Sequence, residues 1–137
     1  MQKPSPKISA YMTENPHSVA MHEPLSNAYA LMRRHDIHHI PVLLGDKLVG
    51  LITEPEPKIF ELITRMDLNK LRVEEAMTPV PYAVTEDAKL IDVAREMARS
   101  HYNAALVMRE SHVVGVFTIT DALRALSEVL THESHHK

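Results

Sequence analysis

The stretch Gly115-Val116-Phe117-Thr118-Ile119-Thr120-Asp121 decides the reading of this chain, because an earlier stretch, Gly50-Leu51-Ile52-Thr53, answers it 65 residues upstream. Working outward at that spacing, Val49 falls on Val114, Val42 on Val107, Arg34 on Arg99 and Met32 on Met97. Further out, Leu25 falls on Leu90, Val19 on Val84, Pro16 on Pro81 and Met12-Thr13 on Met77-Thr78, with no gap. One unit therefore fills the chain twice. A unit of this size buries little surface alone, so the two copies are expected to pack against each other about a pseudo-twofold axis.

The hydrophobic period changes in the same order in both copies. Leu25, Ala28, Tyr29 and Met32, and again Leu90, Val93, Ala94 and Met97, follow the i, i+3, i+4, i+7 spacing of an amphipathic helix. Two short apolar runs follow, 40–44 and 48–53 in the first copy and 104–108 and 113–118 in the second. Gly45-Asp46 and Glu110-Ser111 separate them as hairpin turns. A last helix closes each copy, with Ile59, Phe60, Leu62, Ile63 and Met66 as the inner face of the first, and Ala122, Leu123, Leu126 and Leu130 of the second. The fold class expected is α+β, two β-α-β-β-α repeats covering 7–66 and 72–130, joined by a short linker, 67–71, and followed by a polar tail, 131–137.

Composition narrows the function. With 45% apolar and 24% charged residues the chain reads as an ordinary soluble globular protein. A formal charge of -3 and Lys and Arg scattered singly, apart from Arg33-Arg34, leave no basic stripe to follow a phosphate backbone, so nucleic acid is not expected as a partner. No apolar run approaches the roughly 20 residues that span a bilayer, and the N-terminus lacks the apolar core of a signal peptide. The absence of cysteine excludes disulfides and thiolate metal sites and fits a cytoplasmic location. A starting methionine and a charged tail favour a free-standing protein over an excised domain.

Both copies resemble the cystathionine beta-synthase (CBS) motif. The first carries it in Met12-Thr13, Ile37-His38-His39-Ile40-Pro41-Val42 and Gly50-Leu51-Ile52-Thr53. The second carries it in Met77-Thr78, Tyr102-Asn103-Ala104-Ala105-Leu106-Val107 and the opening heptapeptide through Asp121. The resemblance implies a disc-like pair of repeats with two clefts, each mixing the closing strand and helix start of one copy with early segments of the other. The cleft around Thr118, Thr120 and Asp121 would then draw on Met12, His17, Ile37 and His38. The opposite one would set Thr53 and Glu56 against Met77, Tyr82, Tyr102 and Asn103.

The residues argue for that chemistry in their own right. A carboxylate accepts hydrogen bonds only, and the vicinal hydroxyls of a ribose are good donors to Asp121. Thr118 and Thr120, two apart on an extended segment, would share a side, and with the free amides of the following helix would suit a phosphate. His38 would add a donor, Ile37 and the Met12 segment would clasp an adenine, and His17 could stack. The competing role for Asp121 is a helix cap. In the first copy Glu56 replaces the aspartate between Pro55 and Pro57, which re-shapes the loop and makes this the weaker site.

Ten histidines invite a metal or acid-base reading, above all His35, His38 and His39. Adjacent His38 and His39 at a strand start face opposite ways, and His35 at a helix end answers the macrodipole, so no metal site is expected. The tail from His132 to Lys137 is read as disordered, with incidental metal affinity at most. With no nucleophile elbow, no phosphate loop and three glycines in all, the chain is read as non-enzymatic, requiring no cofactor. The expected function is a regulatory module that senses AMP, ADP, ATP or S-adenosylmethionine and alters an unknown partner protein. The alternative is a ligand-free module that dimerises through its apolar helix faces, and a homodimer is expected in both cases.

Overall fold

The computed structural model describes residues 5–134. In chain order its elements are β1 (Thr13–Glu14), β2 (Val19–Ala20), α1 (Leu25–His35), β3 (His39–Leu44), β4 (Lys47–Thr53), α2 (Pro57–Ile63), α3 (Val73–Ala76), β5 (Thr78–Pro79), β6 (Ala83–Thr85), α4 (Leu90–Ser100), β7 (Ala104–Arg109), β8 (His112–Thr118) and α5 (Ile119–Ser134). They form two compact units. One is continuous, Pro16–Pro81; the other is split, joining the residues up to Asn15 to those from Tyr82 onward.

The continuous unit holds a sheet of order β2-β3-β4-β5, and the split unit one of order β1-β8-β7-β6. In each, a parallel pair (β2 with β3, β6 with β7) is followed by an antiparallel hairpin with a bulge at the equivalent place, Val42/Leu43 and Val107/Met108. The fourth strand comes from the far side of a unit boundary in the repeat. Thr13 pairs with Val116 in the split unit, and Thr78 with Leu51 in the continuous one. The compact bodies are thus offset from the sequence repeats, because each short Met-Thr strand completes the sheet of the other copy's hairpin. Residues 67–71 lie within the continuous unit, where Leu68 and Leu71 pack on its core and their carbonyls accept from Ser26 and Leu25.

The two paired helices bury the faces their periodicity indicates: Leu25, Ala28, Tyr29 and Met32 on α1, Val93 and Met97 on α4. Both end on a left-handed residue, Asp36 (φ 52°) and His101 (φ 60°), whose amides return to the carbonyls of Met32 and Met97. The last helices depart from expectation. On α2 only Phe60 and Ile63 reach the core, whereas Ile59, Leu62 and, beyond the helix end, Met66 are exposed. On α5 the side chains turned inward are the small ones, Ala122 and Ala125, and Leu123, Leu126 and Leu130 are exposed. The periodicity of these segments marks two apolar stripes, and alanine, not leucine, fits the closer approach to the sheet. The helix α5 also continues through residues 131–134, which the sequence assigned to the tail; His135, His136 and Lys137 lie outside the described residues.

Left-handed backbone recurs at the repeat spacing: Asn15 and Val80, Asp36 and His101, Gly45 and Glu110. The side chains are not equally suited to it. Asparagine and glycine tolerate this region, but a β-branched residue is strained there, and Val80 at φ 47° is also 91% exposed, so no burial offsets the strain. Val80→Asn, which copies the residue at the equivalent position, is expected to raise stability by about 1 kcal/mol. Thermal unfolding a few degrees higher than the parent would show it; an unchanged or lower midpoint would refute it.

Candidate functional site

Asp121 is the only buried charged side chain among the described residues, 3% exposed, and the split unit is built to hold it. The strand β8 ends at Thr118 and α5 begins one residue later, so Thr118 is the cap residue and Asp121 stands at the third helical position. Its Oδ2 accepts the Thr118 amide at 2.9 Å and the Thr118 hydroxyl at 3.2 Å, while its own amide donates to Thr118 Oγ1 at 3.3 Å. This is a capping box with aspartate in the acidic place. The Thr13 hydroxyl, brought in by β1, lies 3.4 Å from both carboxylate oxygens, and Arg124 Nη1 donates to Oδ1 at 3.1 Å.

Thr120 differs from its expected place. Because the helix starts at Ile119, Thr118 and Thr120 do not share an extended segment, and Thr120 is exposed in the first turn of α5. Met12 packs with the core of the split unit over Gly115. A Cβ added at Gly115 would come within 2.8 Å of Met12 Cγ and 3.1 Å of the Thr13 carbonyl oxygen, so glycine is what lets β1 lie beside β8. Met12, Thr118, Thr120 and Asp121 thus belong to the split unit, and His17, Ile37 and His38 to the continuous one. Two contacts of Asp121 escaped the sequence reading. Thr13 was visible only as half of the repeated Met-Thr pair, and Arg124 only as a residue three positions on from Asp121.

The first copy lacks this arrangement. Glu56 is exposed, caps α2 with no side-chain bond, and Thr53 is exposed and bonds His39 Nδ1 at 3.2 Å through its hydroxyl. Pro57 takes the first helical position, where its missing amide costs nothing. Met77 lies over Gly50 as Met12 lies over Gly115. In the split unit Tyr82 and Tyr102 stack with centroids 4.9 Å apart, and the Asn103 carbonyl accepts from the Ile119 amide. Burial first, and then the nearby Glu96 carboxylate, pushes the Tyr82 phenol upward.

Histidines of the first copy have local partners. His17 and His35 stack at 4.0 Å, His38 pairs with Glu54, and burial, helped by His38, holds the His39 imidazole below its usual range. Among the described residues no three His, Asp or Glu side chains gather to hold a metal ion, and no helix is long and apolar enough to cross a membrane.

Comparison with known proteins agrees with this architecture. A family model described as CBS domain matches residues 8–56 and 73–128. Hypoxic response protein 1 of Mycobacterium tuberculosis is 30% identical over 111 residues, covering 80% of this chain and 78% of that protein. A crystal structure of Hypoxic Response Protein I with two coordinated zinc ions superposes with a TM-score of 0.72 at 26% identity, over 87% of this chain and 98% of that one. The CBS domain pair of protein MJ0100, solved with 5′-methylthioadenosine and S-adenosyl-L-methionine, gives 0.77 at 24% identity over 91% and 98%. CBSX2, a protein of Arabidopsis thaliana solved with AMP, gives 0.72 at 21% over 90% and 97%. Two matched segments in one chain, each with its own amphipathic helix and hairpin, make this protein a tandem pair of CBS domains and a member of that family.

Proposed function

We propose that this protein is a ligand-sensing regulatory module whose Asp121 site takes the ribose of an adenine nucleotide or related adenosyl compound and thereby alters a partner protein. The observation that carries the reading is the buried carboxylate of Asp121, collected with Thr118 and Thr13 at the start of α5. The Thr13 contacts, at the long limit of hydrogen bonding, are the ones a ribose diol replaces most readily. His17, Ile37 and His38, in the other unit, enter as the residues that the family resemblance adds, and Thr53, Glu56, Met77, Tyr82, Tyr102 and Asn103 as its weaker second set. The adenosyl ligands of MJ0100 and CBSX2 support the ligand class. No resident cofactor belongs to the proposal, and a cytoplasmic setting does.

Thermal unfolding with AMP, ADP, ATP and S-adenosylmethionine in turn tests it, with Asp121→Asn beside the parent protein. A ligand at about 100 times its dissociation constant adds about 2.7 kcal/mol to the folded state and moves the midpoint by several degrees. The shift is expected in the parent and not in Asp121→Asn. No shift with any of the four would favour the second reading, a dimerisation module. The exposed stripes of Ile59 and Leu62 on α2 and of Leu123 and Leu126 on α5 support that reading. A homodimer through these faces is proposed in both cases.

A further inference from the structure

We infer that Arg124 makes the Asp121 site selective for a negatively charged nucleoside ligand over an uncharged or cationic one, an inference that rests on the ligand-sensing reading. A lone buried carboxylate that accepts a ribose diol would repel an anionic group carried on the same sugar. Here the carboxylate is not alone. Arg124 Nη1 donates to Asp121 Oδ1 at 3.1 Å, so the pair is neutral as a whole. The two side chains are unequally placed, Asp121 buried and Arg124 62% exposed, so the acid lies underneath and the guanidinium faces outward. A guanidinium has five N–H donors in a planar fork, and one bond to Asp121 leaves most of them directed away from it.

The ion pair that Arg124 makes is with Asp121; Glu128, one turn further along α5, has the Tyr11 hydroxyl beside it. The repeat supplies an internal contrast: the position equivalent to Arg124 is Ile59, and there the acid, Glu56, is exposed and caps nothing with its side chain. Arg124 is therefore a feature that the Asp121 site has and its counterpart lacks, beside the buried and capped acid itself. A diol donating to Asp121 places the 5′ substituent of the same sugar within reach of a guanidinium that already touches that carboxylate. A phosphate ester would accept charge-assisted bonds from it, whereas a sulfonium would be repelled.

Calorimetric titration of the full chain with AMP, adenosine and S-adenosylmethionine separates the cases. The parent protein should bind AMP about tenfold or more tighter than adenosine, the size of one charge-assisted hydrogen bond. Arg124→Gln should bring that ratio close to one, Arg124→Lys should keep most of it, and circular dichroism melting would show that both variants are folded. Equal affinity for AMP and adenosine in the parent, or a ratio that survives Arg124→Gln, would overturn the inference while leaving the ligand-sensing reading intact. Binding of none of the three would overturn both. If Arg124→Gln does not fold, the ratio in the parent decides.

Discussion

Phe117→Ala is expected to remove about 3–5 kcal/mol of folding stability, a large part of the 5–15 kcal/mol usual for a domain. Phe117 is fully buried in the split unit, in a cluster with Ile8, Val93, Met97, Ala105 and Val107. Its severity follows from the residue across the ladder. Phe117 pairs with Ala105, while at the equivalent place in the continuous unit Ile52 pairs with Ile40. One sheet fills the site with two medium side chains and the other with a large one against a small one, and directly opposed residues share a face. Truncation of Phe117 leaves alanine against alanine, a void that neither strand can fill. The double variant Ala105→Ile, Phe117→Ile, which copies the other unit, should recover most of the loss. Urea unfolding would measure both, and a loss below about 1 kcal/mol for Phe117→Ala would contradict the packing described.

Asp121→Ala should cost about 2–3 kcal/mol even with no ligand present. The substitution strips the Thr118 amide and hydroxyl of their acceptor and removes the counter-charge of Arg124. Loss of a helix cap costs about 1 kcal/mol, and a desolvated amide left unpaired about 1–3 kcal/mol. Asp121→Asn keeps an oxygen for the Thr118 amide and should cost about 1 kcal/mol. Glu56→Ala, at the exposed and uncapped counterpart, should fall within about 0.5 kcal/mol of the parent. Chemical denaturation of the three variants would check this order; equal effects of Asp121→Ala and Glu56→Ala would refute it. The intrinsic cost also explains why a ligand test must compare shifts within each variant, not midpoints between variants.

The repeat made most of the fold legible. The 65-residue spacing, the helical faces of α1 and α4 and both hairpins follow from side-chain period alone. What remained hidden was decided by contacts, not by period. The strands β1 and β5 are two residues each, too short to show alternation, and their exchange between hairpins is set by Gly50 and Gly115 admitting Met77 and Met12. On α5 both stripes are apolar, and only the closeness of the sheet explains why Ala125 is inside and Leu126 outside. At the site, the Asp121 carboxylate and the Thr118 cap were visible as residue types at the right spacing. Thr13, which reaches Asp121 across 108 positions of chain, could not be found by any local pattern.

That exchange of the first strand also sets an order of events on the ribosome. The segment with Ile8, Tyr11 and Met12 is made before residues 16–81, yet its core partners Val93, Ala105 and Phe117 are made after them. The residues from Pro16 to Pro81, by contrast, contain their whole sheet and can close as soon as β5 has emerged. That apolar segment of the nascent chain therefore waits, uncovered, while a complete unit folds behind it. A deletion of residues 8–12 would damage the unit completed some 80 residues or more later, not the one that follows it directly.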